Sequence, residues 1–358
     1  MIKKEKDFLT ITLCLAACGA LCAQFQSVSA ATVNAVAMCV KIIIPSLFPF
    51  FVISDVLMSR LNFSQNGICA HLARKVFNLP PCALPVLAIG LISGYPVGAA
   101  AVYGLYENGT VSKADAEQLI CFTNNSGPLF LICSVGCGMY GSLQIGLMLY
   151  GIHIFTALCT AVIAGRLYTV RERGGVFSPR RKFTLAESVE NSFMKCIKII
   201  GFVVFFAIIT EFLSQAAGGV PIMRNSVFLR AAAISMLEMT NGISRAAAQL
   251  PLGDALCLTS FAAAWSGVSV LFQVKSVTKN MLSTKKYVRY KFFSALGATA
   301  LTSSIFKIGK TEFTLGFCGA DEVAAVCAAV LCAAIILGAY TGRKKLSAKS
   351  GKEKPCSP

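Results

Sequence analysis

The sequence predicts an all-α polytopic membrane protein with about eight crossings, built from two inverted-topology repeats that contain broken or re-entrant helices. Three observations carry that expectation. Of 358 residues, 56% are hydrophobic and only 14% charged, with a mean hydropathy of +0.69. Soluble domains carry about 25% charged residues, so this chain lacks the polar surface to cover a water-soluble core. The apolar residues also fall in runs of membrane-spanning length. Finally, the 33 Lys and Arg behind the net charge of +17 gather in short stretches between those runs, as cytoplasmic loops do. A cytosolic enzyme and a disordered tail protein are excluded, and the positive charge points to the membrane surface rather than to nucleic acid.

The first apolar run, residues 8–26, follows Lys3, Lys4 and Lys6. It reads as a first spanning helix within an N-terminal segment 1–30; the alternative is a signal peptide cleaved after Val28-Ser29-Ala30. A second span over residues 33–58 contains Pro45 and Pro49, each of which removes a backbone donor, so it is expected to bend. A loop with Arg60, Arg74 and Lys75 follows. Residues 82–140 are apolar but interrupted at Ser93-Gly94-Tyr95-Pro96, at residues 107–113, and at Asn124-Asn125-Ser126-Gly127-Pro128. An uninterrupted span covers residues 143–168 and closes a first repeat, 31–168. The basic loop at 169–190 comes next, with Arg171, Arg173, Arg180, Arg181 and Lys182.

The second half, 191–310, repeats the plan. A span over residues 191–212 precedes a broken region, 226–274, interrupted at Met239-Thr240-Asn241-Gly242 and at Trp265-Ser266-Gly267. A basic stretch holding Lys275, Lys279, Lys285, Lys286, Arg289 and Lys291 reads as another loop. Spans over residues 292–306 and 323–340 follow, the latter within a C-terminal segment 311–341, and a basic tail, 342–358, ends the chain. Placing the arginine-rich and lysine-rich stretches and both termini inside requires each broken region to cross an odd number of times, in opposite directions. That is the inverted-repeat pattern, with each broken region drawn as a re-entrant hairpin plus one crossing.

Irregular backbone at membrane depth is tolerated only inside protein or beside a polar cavity, and each break creates helix ends whose free N–H groups favour anionic or hydroxyl-bearing ligands. The expected substrate-binding residues are therefore Ser93, Gly94, Tyr95 and Pro96; Asn124, Asn125, Ser126 and Gly127; Glu238, Thr240 and Asn241; and Trp265, Ser266 and Gly267. Ser126 is the expected N-cap of the half-helix after Pro128. Glu238, an acid beside a break, is the expected cation- or proton-responsive group, the alternative being a buried pair with Arg230 or Arg245. Trp265 is read as a stacking surface or as packing. Glu211, Asp55, Gln273 and His153 are weaker candidates.

The sixteen cysteines do not form a framework. Cys14, Cys18 and Cys22 recur every four residues in one apolar run, Cys133 and Cys137 lie in another, and Cys327 and Cys332 in a third. No C-x-x-C pair exists and the histidines are His71 and His153 alone, so no metal and no cofactor is expected. An intramembrane protease is disfavoured as well: Asp55 follows Ser54, Gly253-Asp254 has Pro251 where a second glycine belongs, and His153 sits on a plain span. No catalytic residue is expected.

Four stretches together resemble a known family: Pro45-Ser46-Leu47-Phe48-Pro49-Phe50-Phe51, Ser93-Gly94-Tyr95-Pro96-Val97-Gly98-Ala99, Ser126-Gly127-Pro128-Leu129-Phe130 and Leu237-Glu238-Met239-Thr240-Asn241-Gly242. They are similar to the sporulation integral membrane protein YlbJ family, grouped with the nucleoside-recognition GATE domains that also occur in nucleoside transporters and ferrous-iron transport proteins. The resemblance covers about residues 31–290. It implies a multi-pass protein of the cytoplasmic membrane of an endospore-forming bacterium, with GATE-like broken helices and no catalytic residues to carry over. The second-half stretch Ala263-Ala264-Trp265-Ser266-Gly267-Val268 is less polar than its first-half counterpart. The expected function is a transporter or permease-like protein for a small polar, nucleoside-like solute, with a coupling cation or proton. The alternative is a non-transporting membrane scaffold or assembly factor in spore formation. The sequence leaves the oligomeric state open.

Overall fold

The computed structural model describes residues 2–58, 68–167, 183–219 and 221–308. The expected span at 323–340, the basic tail and most of the arginine-rich loop lie outside the described residues, as does Arg60. Among the described residues the chain is helical throughout, with no strand.

Helices α1 (Ile2–Ala23) and α2 (Phe25–Met38) meet at Gln24, and their axes are bent by 89°. A π-helical turn, Cys39–Ile43, joins α2 to α3 (Ile44–Met58). The wider turn sits where the ring of Pro45 would collide with the carbonyl four residues back, so the chain stays helical past both prolines. A short α4 (Ile68–Leu72) and a second π turn, Ala73–Phe77, follow.

Four segments come next: α5 (Ala83–Ser93), α6 (Val97–Glu107), α7 (Lys113–Thr123) and a π-helical stretch, Leu129–Met139. The long α8 (Leu143–Leu167) ends the first half. The Ser112 hydroxyl and the Asp115 carboxylate cap each other's backbone N–H and so start α7.

The second half opens with α9 (Leu185–Gly218), 34 residues that take in part of the expected basic loop. Its start is another capping box: the Thr184 hydroxyl accepts from Glu187 N–H at 3.2 Å and a Glu187 carboxylate oxygen accepts from Thr184 N–H at 2.9 Å. Then come α10 (Pro221–Asn225), α11 (Val227–Leu237), α12 (Met239–Gln249), α13 (Leu252–Trp265), α14 (Gly267–Val277) and α15 (Lys285–Ile308). In the first half the order is thus 11, 11, 11, 11 and 25 residues (α5, α6, α7, the Leu129–Met139 stretch and α8). In the second it is 11, 11, 14, 11 and 24 (α11 to α15).

Among the described residues, three helices can cross a membrane by length and composition: Leu143–Leu167, Leu185–Gln215 and Leu252–Val277; counting the bent pair at Gln24 as one span makes four. The helix 252–277 runs through the interruption at Ser266, so this break lies within a through-going span rather than at the tip of a hairpin.

One correction concerns the basic stretch after residue 274. Helix α14 continues to Val277 and α15 already begins at Lys285, so the intervening loop is short and Lys285, Lys286, Arg289 and Lys291 lie on a helix. Tyr287, Lys291, Ala295, Ala298 and Thr302 are buried along α15 at spacings of three and four, one helical face. The charge of Lys291 hid that face from the sequence reading.

The packing has two main clusters. Cys39, Ile43, Phe51, Cys196, Ile199 and Val203 join α3, α9 and the π turn after α2 into a panel, tied by an ion pair from Lys195 to Asp55, that packs on α5 and α6 through Ile89 and Val97. The larger core mixes both halves: Leu131, Val135 and Leu149 share one cluster with Leu256, Val270 and Tyr287. At one end of this core the Gln118 amide donates to the Ala164 carbonyl at 3.2 Å and to the Tyr290 hydroxyl at 3.3 Å. The end of α8 therefore stands beside the start of α15.

Candidate functional site

All four expected breaks lie at real helix ends. Ser93 ends α5 and Pro96 precedes α6; Asn124 follows α7 and Pro128 precedes the stretch at Leu129. Glu238 separates α11 from α12, and Ser266 separates α13 from α14.

The breaks meet in pairs through glycine. Gly94 has φ +78°, and a Cβ on it would lie 3.0 Å from the Gly127 backbone nitrogen; a Cβ on Gly127 would lie 3.1 Å from the Gly94 nitrogen. Gly267, at φ +79°, would place a Cβ 2.9 Å from the Leu237 carbonyl oxygen. Each half thus presses its two interruptions against each other, where any side chain would hold them apart.

Hydrogen bonds then join the pairs across the halves. The Tyr95 hydroxyl and the Ser126 hydroxyl both reach the Ala263 carbonyl, at 3.1 and 3.3 Å. The Asn124 amide donates to the Tyr287 hydroxyl at 3.1 Å, which also lies 3.3 Å from the Ser266 hydroxyl. Asn124 Oδ1 accepts from Ala99 N–H at 3.3 Å. Lys291 donates to Asn125 Oδ1 at 3.3 Å and sits 5.1 Å from the centre of the Tyr95 ring, while the Asn125 amide donates to the Phe122 carbonyl at 2.7 Å. The Ser126 backbone N–H donates to His153 Nε2 at 2.9 Å. Because Nε2 accepts, Nδ1 carries the imidazole proton, and this buried N–H has no hydrogen-bond partner among the described residues.

Ser126 is therefore not the N-cap expected of it. Pro128 holds that position without a side-chain bond, and the Ser126 hydroxyl instead bridges to the second half. Glu238 does cap. Its carboxylate accepts from the N–H groups of Thr240 at 3.0 Å and Asn241 at 2.6 Å, satisfying the free donors at the start of α12. The alternative of a buried pair with either arginine fails. Arg230 donates to the carbonyls of Met223 and Arg224, while Arg245 faces Glu211 at 3.8 Å and Ser214 at 3.2 Å. Trp265 donates through its indole N–H to the Met236 carbonyl at 3.0 Å and meets Phe292 edge-on at 5.9 Å.

A cavity of about 50 Å³ lies where these breaks converge. Gly94, Tyr95, Ser126 and Gly127 line it from the first half, and Glu238, Thr240 and Gln273 from the second; Ile43, Leu47, Ile199 and Val203 of the panel close it. Ser93, Pro96, Asn124, Asn125, Asn241, Trp265, Ser266 and Gly267 stand outside this lining. Asn124, Asn125 and Ser266 bond to Tyr287 and Lys291, which the sequence reading did not single out. The signal that would have found these two is their i, i+4 spacing on the buried face of α15. A water needs about 10–15 Å³ of such space, so the cavity holds a few waters or a small ion, well below the roughly 300–1,000 Å³ of sites that enclose an organic ligand. No group of three or more metal-ligating side chains occurs among the described residues.

Over 202 residues the chain is 27% identical to the sporulation integral membrane protein YlbJ of Bacillus subtilis (strain 168). The match covers 49% of this chain and 48% of that protein, so the chain spans about half the length of the curated relative it matches. No family model matches the chain. No solved structure matches it. With its several apolar helices, the chain is thus an all-α integral membrane protein similar to a sporulation membrane protein.

Proposed function

We propose that the protein is a transporter or permease-like protein that moves a small polar solute through the cavity lined by three of its four helix breaks. One observation carries this reading: interruptions from both halves converge on one small cavity, mostly apolar in its lining but with Ser126, Glu238, Thr240 and Gln273 set into it, and bordered on its other side by an apolar panel. A scaffold has no use for costly breaks brought together around a cavity. The repeated order of helix lengths supports two inverted repeats, at 31–168 and 191–310, and about eight crossings in all.

The electrostatics suggest the solute's chemistry. Helices α6, α12 and α14 and the stretch at Leu129 start at the breaks, and the N-terminal end of a helix carries partial positive charge. Lys291 adds an amine hydrogen-bond donor behind Tyr95 and Asn125. Glu238 answers the start of α12 and Asn124 Oδ1 a first-turn donor of α6, which leaves the starts of α14 and of the Leu129 stretch to a ligand. The solute carries a carboxylate, phosphate or hydroxyl group. A nucleoside-like molecule enters only after the panel of α2, α3 and α9 moves away from the breaks, because the present space is too small. Glu238 is the group through which a cation or proton couples to the movement.

The similarity to a sporulation integral membrane protein supports a role in spore formation, and the activity is exercised in the cytoplasmic membrane of the bacterium. Both termini are cytoplasmic, the broken helices are of the GATE type, and the protein is not an enzyme. Proteoliposomes loaded with candidate anionic, nucleoside and sugar solutes test the reading. Flux of one of them is lost with Asn125→Ala combined with Glu238→Gln; unchanged flux in that double variant refutes the site.

A further inference from the structure

We propose that the groove between α8 and α15 binds an anionic phospholipid from the leaflet at the basic end of the protein. This inference needs the chain to lie in a membrane but is independent of the transport reading.

The two helices run antiparallel. Ala164 and Tyr290 share the Gln118 amide at one end, and Ile152 clusters with Ala298, Leu301 and Ile305 at the other. Small and hydroxyl-bearing side chains face the space between them: Thr156 and Thr160 from α8, and Gly297, Ala300 and Ser304 from α15. Such residues ordinarily let membrane helices close on each other. Here the helices meet along Ile152, Ala298, Leu301 and Ile305, and beside that seam they leave a cavity of about 860 Å³. At 1.5 Å per residue it runs about 22 Å from Arg289 to Ser304, longer than the ~15 Å depth of one leaflet's hydrocarbon. An acyl chain fits along it.

The charges fix the class of lipid. Lys286 and Arg289 both line this cavity, at the end where α8 finishes with Arg166 and α15 begins with Lys285. They stand in the first turns of α15, where positive charge opposes the helix dipole, so helix stability alone does not account for them. A free anion needs only the cations and a neutral chain only the trough. Phosphate and chain together describe a phospholipid with net negative charge, and basic pockets between membrane helices on the positively charged side hold such headgroups.

The test uses the full chain in nanodiscs or mild detergent, with phosphatidylglycerol and phosphatidylcholine as probes and retained lipid counted by native mass spectrometry. Phosphatidylglycerol is retained preferentially. Arg289→Gln weakens it about fivefold and Lys286→Gln with Arg289→Gln about 25-fold, from the usual strength of one cation near a membrane surface. Gly297→Leu tests the trough without touching the charges. A Cβ there has no atom within 4 Å, so the variant folds, and its side chain displaces the acyl chain. A photoactivatable phosphatidylglycerol labels peptides from α8 and α15. Equal retention of the two lipids overturns the proposal. So does retention unchanged by both Arg289→Gln and Gly297→Leu, displacement by inorganic phosphate alone, or crosslinking that shows residues 323–340 of this chain in the groove.

Discussion

Replacing Lys291 by Met separates a binding role for that residue from a structural one. The residue is 2% exposed, and none of the described acidic residues is ion-paired with it. What holds it is one hydrogen bond to Asn125, worth about 1.5–3 kcal/mol when one partner is charged. The Tyr95 ring adds about 1–2 kcal/mol where the cation is desolvated. Against these stands a desolvation cost of several kcal/mol for an ion taken out of water. The opposing contributions are of similar size. Lys291→Met, which keeps the volume and removes the charge, therefore leaves stability within about 2 kcal/mol of the parent or raises it. Solute uptake by proteoliposomes is lost in the same variant. Thermal unfolding in detergent and flux are measured side by side. A variant that unfolds more than about 2 kcal/mol more easily and still transports refutes the reasoning, because Lys291 would then be a fixture of the fold.

Three further outcomes follow from the contacts at the breaks. His153→Phe leaves the Ser126 N–H without its acceptor and costs about 1–3 kcal/mol in the unfolding midpoint, whereas Ser126→Ala, which loses only a hydroxyl, costs about 1 kcal/mol. Gly94→Ala and Gly267→Ala each force a side chain into a positive-φ position against backbone and destabilise by about 1–3 kcal/mol, while Gly104→Ala, with no atom within 4 Å of its Cβ, is neutral or slightly stabilising by the same assay. Glu238→Ala removes the cap of α12 and costs about 0.5–2 kcal/mol; Glu238→Gln keeps a carbonyl acceptor and loses less, so hydrogen exchange at Thr240 and Asn241 rises more in the alanine variant.

Much of the architecture was legible because the bilayer is a demanding solvent. Apolar runs of fixed length, and Gly, Pro, Asn and Ser clustered inside apolar segments, are local features, and those within the described residues land on helices or helix ends. The pairing of Ser93–Pro96 with Asn124–Pro128 was only a matter of like composition in the sequence. Backbone contact at Gly94 and Gly127 made it a physical junction. Trp265 illustrates the reverse case: an indole beside a break invites a ligand, but the Met236 carbonyl and the edge of Phe292 already take it.

By itself the sequence determined that the chain is helical and membrane-bound, where its helices are interrupted, and which polar groups stand at the interruptions, since these follow from hydrophobic length and backbone chemistry along the chain. Only the tertiary structure decided which interruptions meet, how little room they enclose, and that Lys291, Tyr287 and His153 stand behind them. Those contacts join residues far apart in sequence: Asn125 and Lys291 are separated by 166 positions. No local pattern records such a separation, and a lysine on a helix reads as solvated until the packing around it is known.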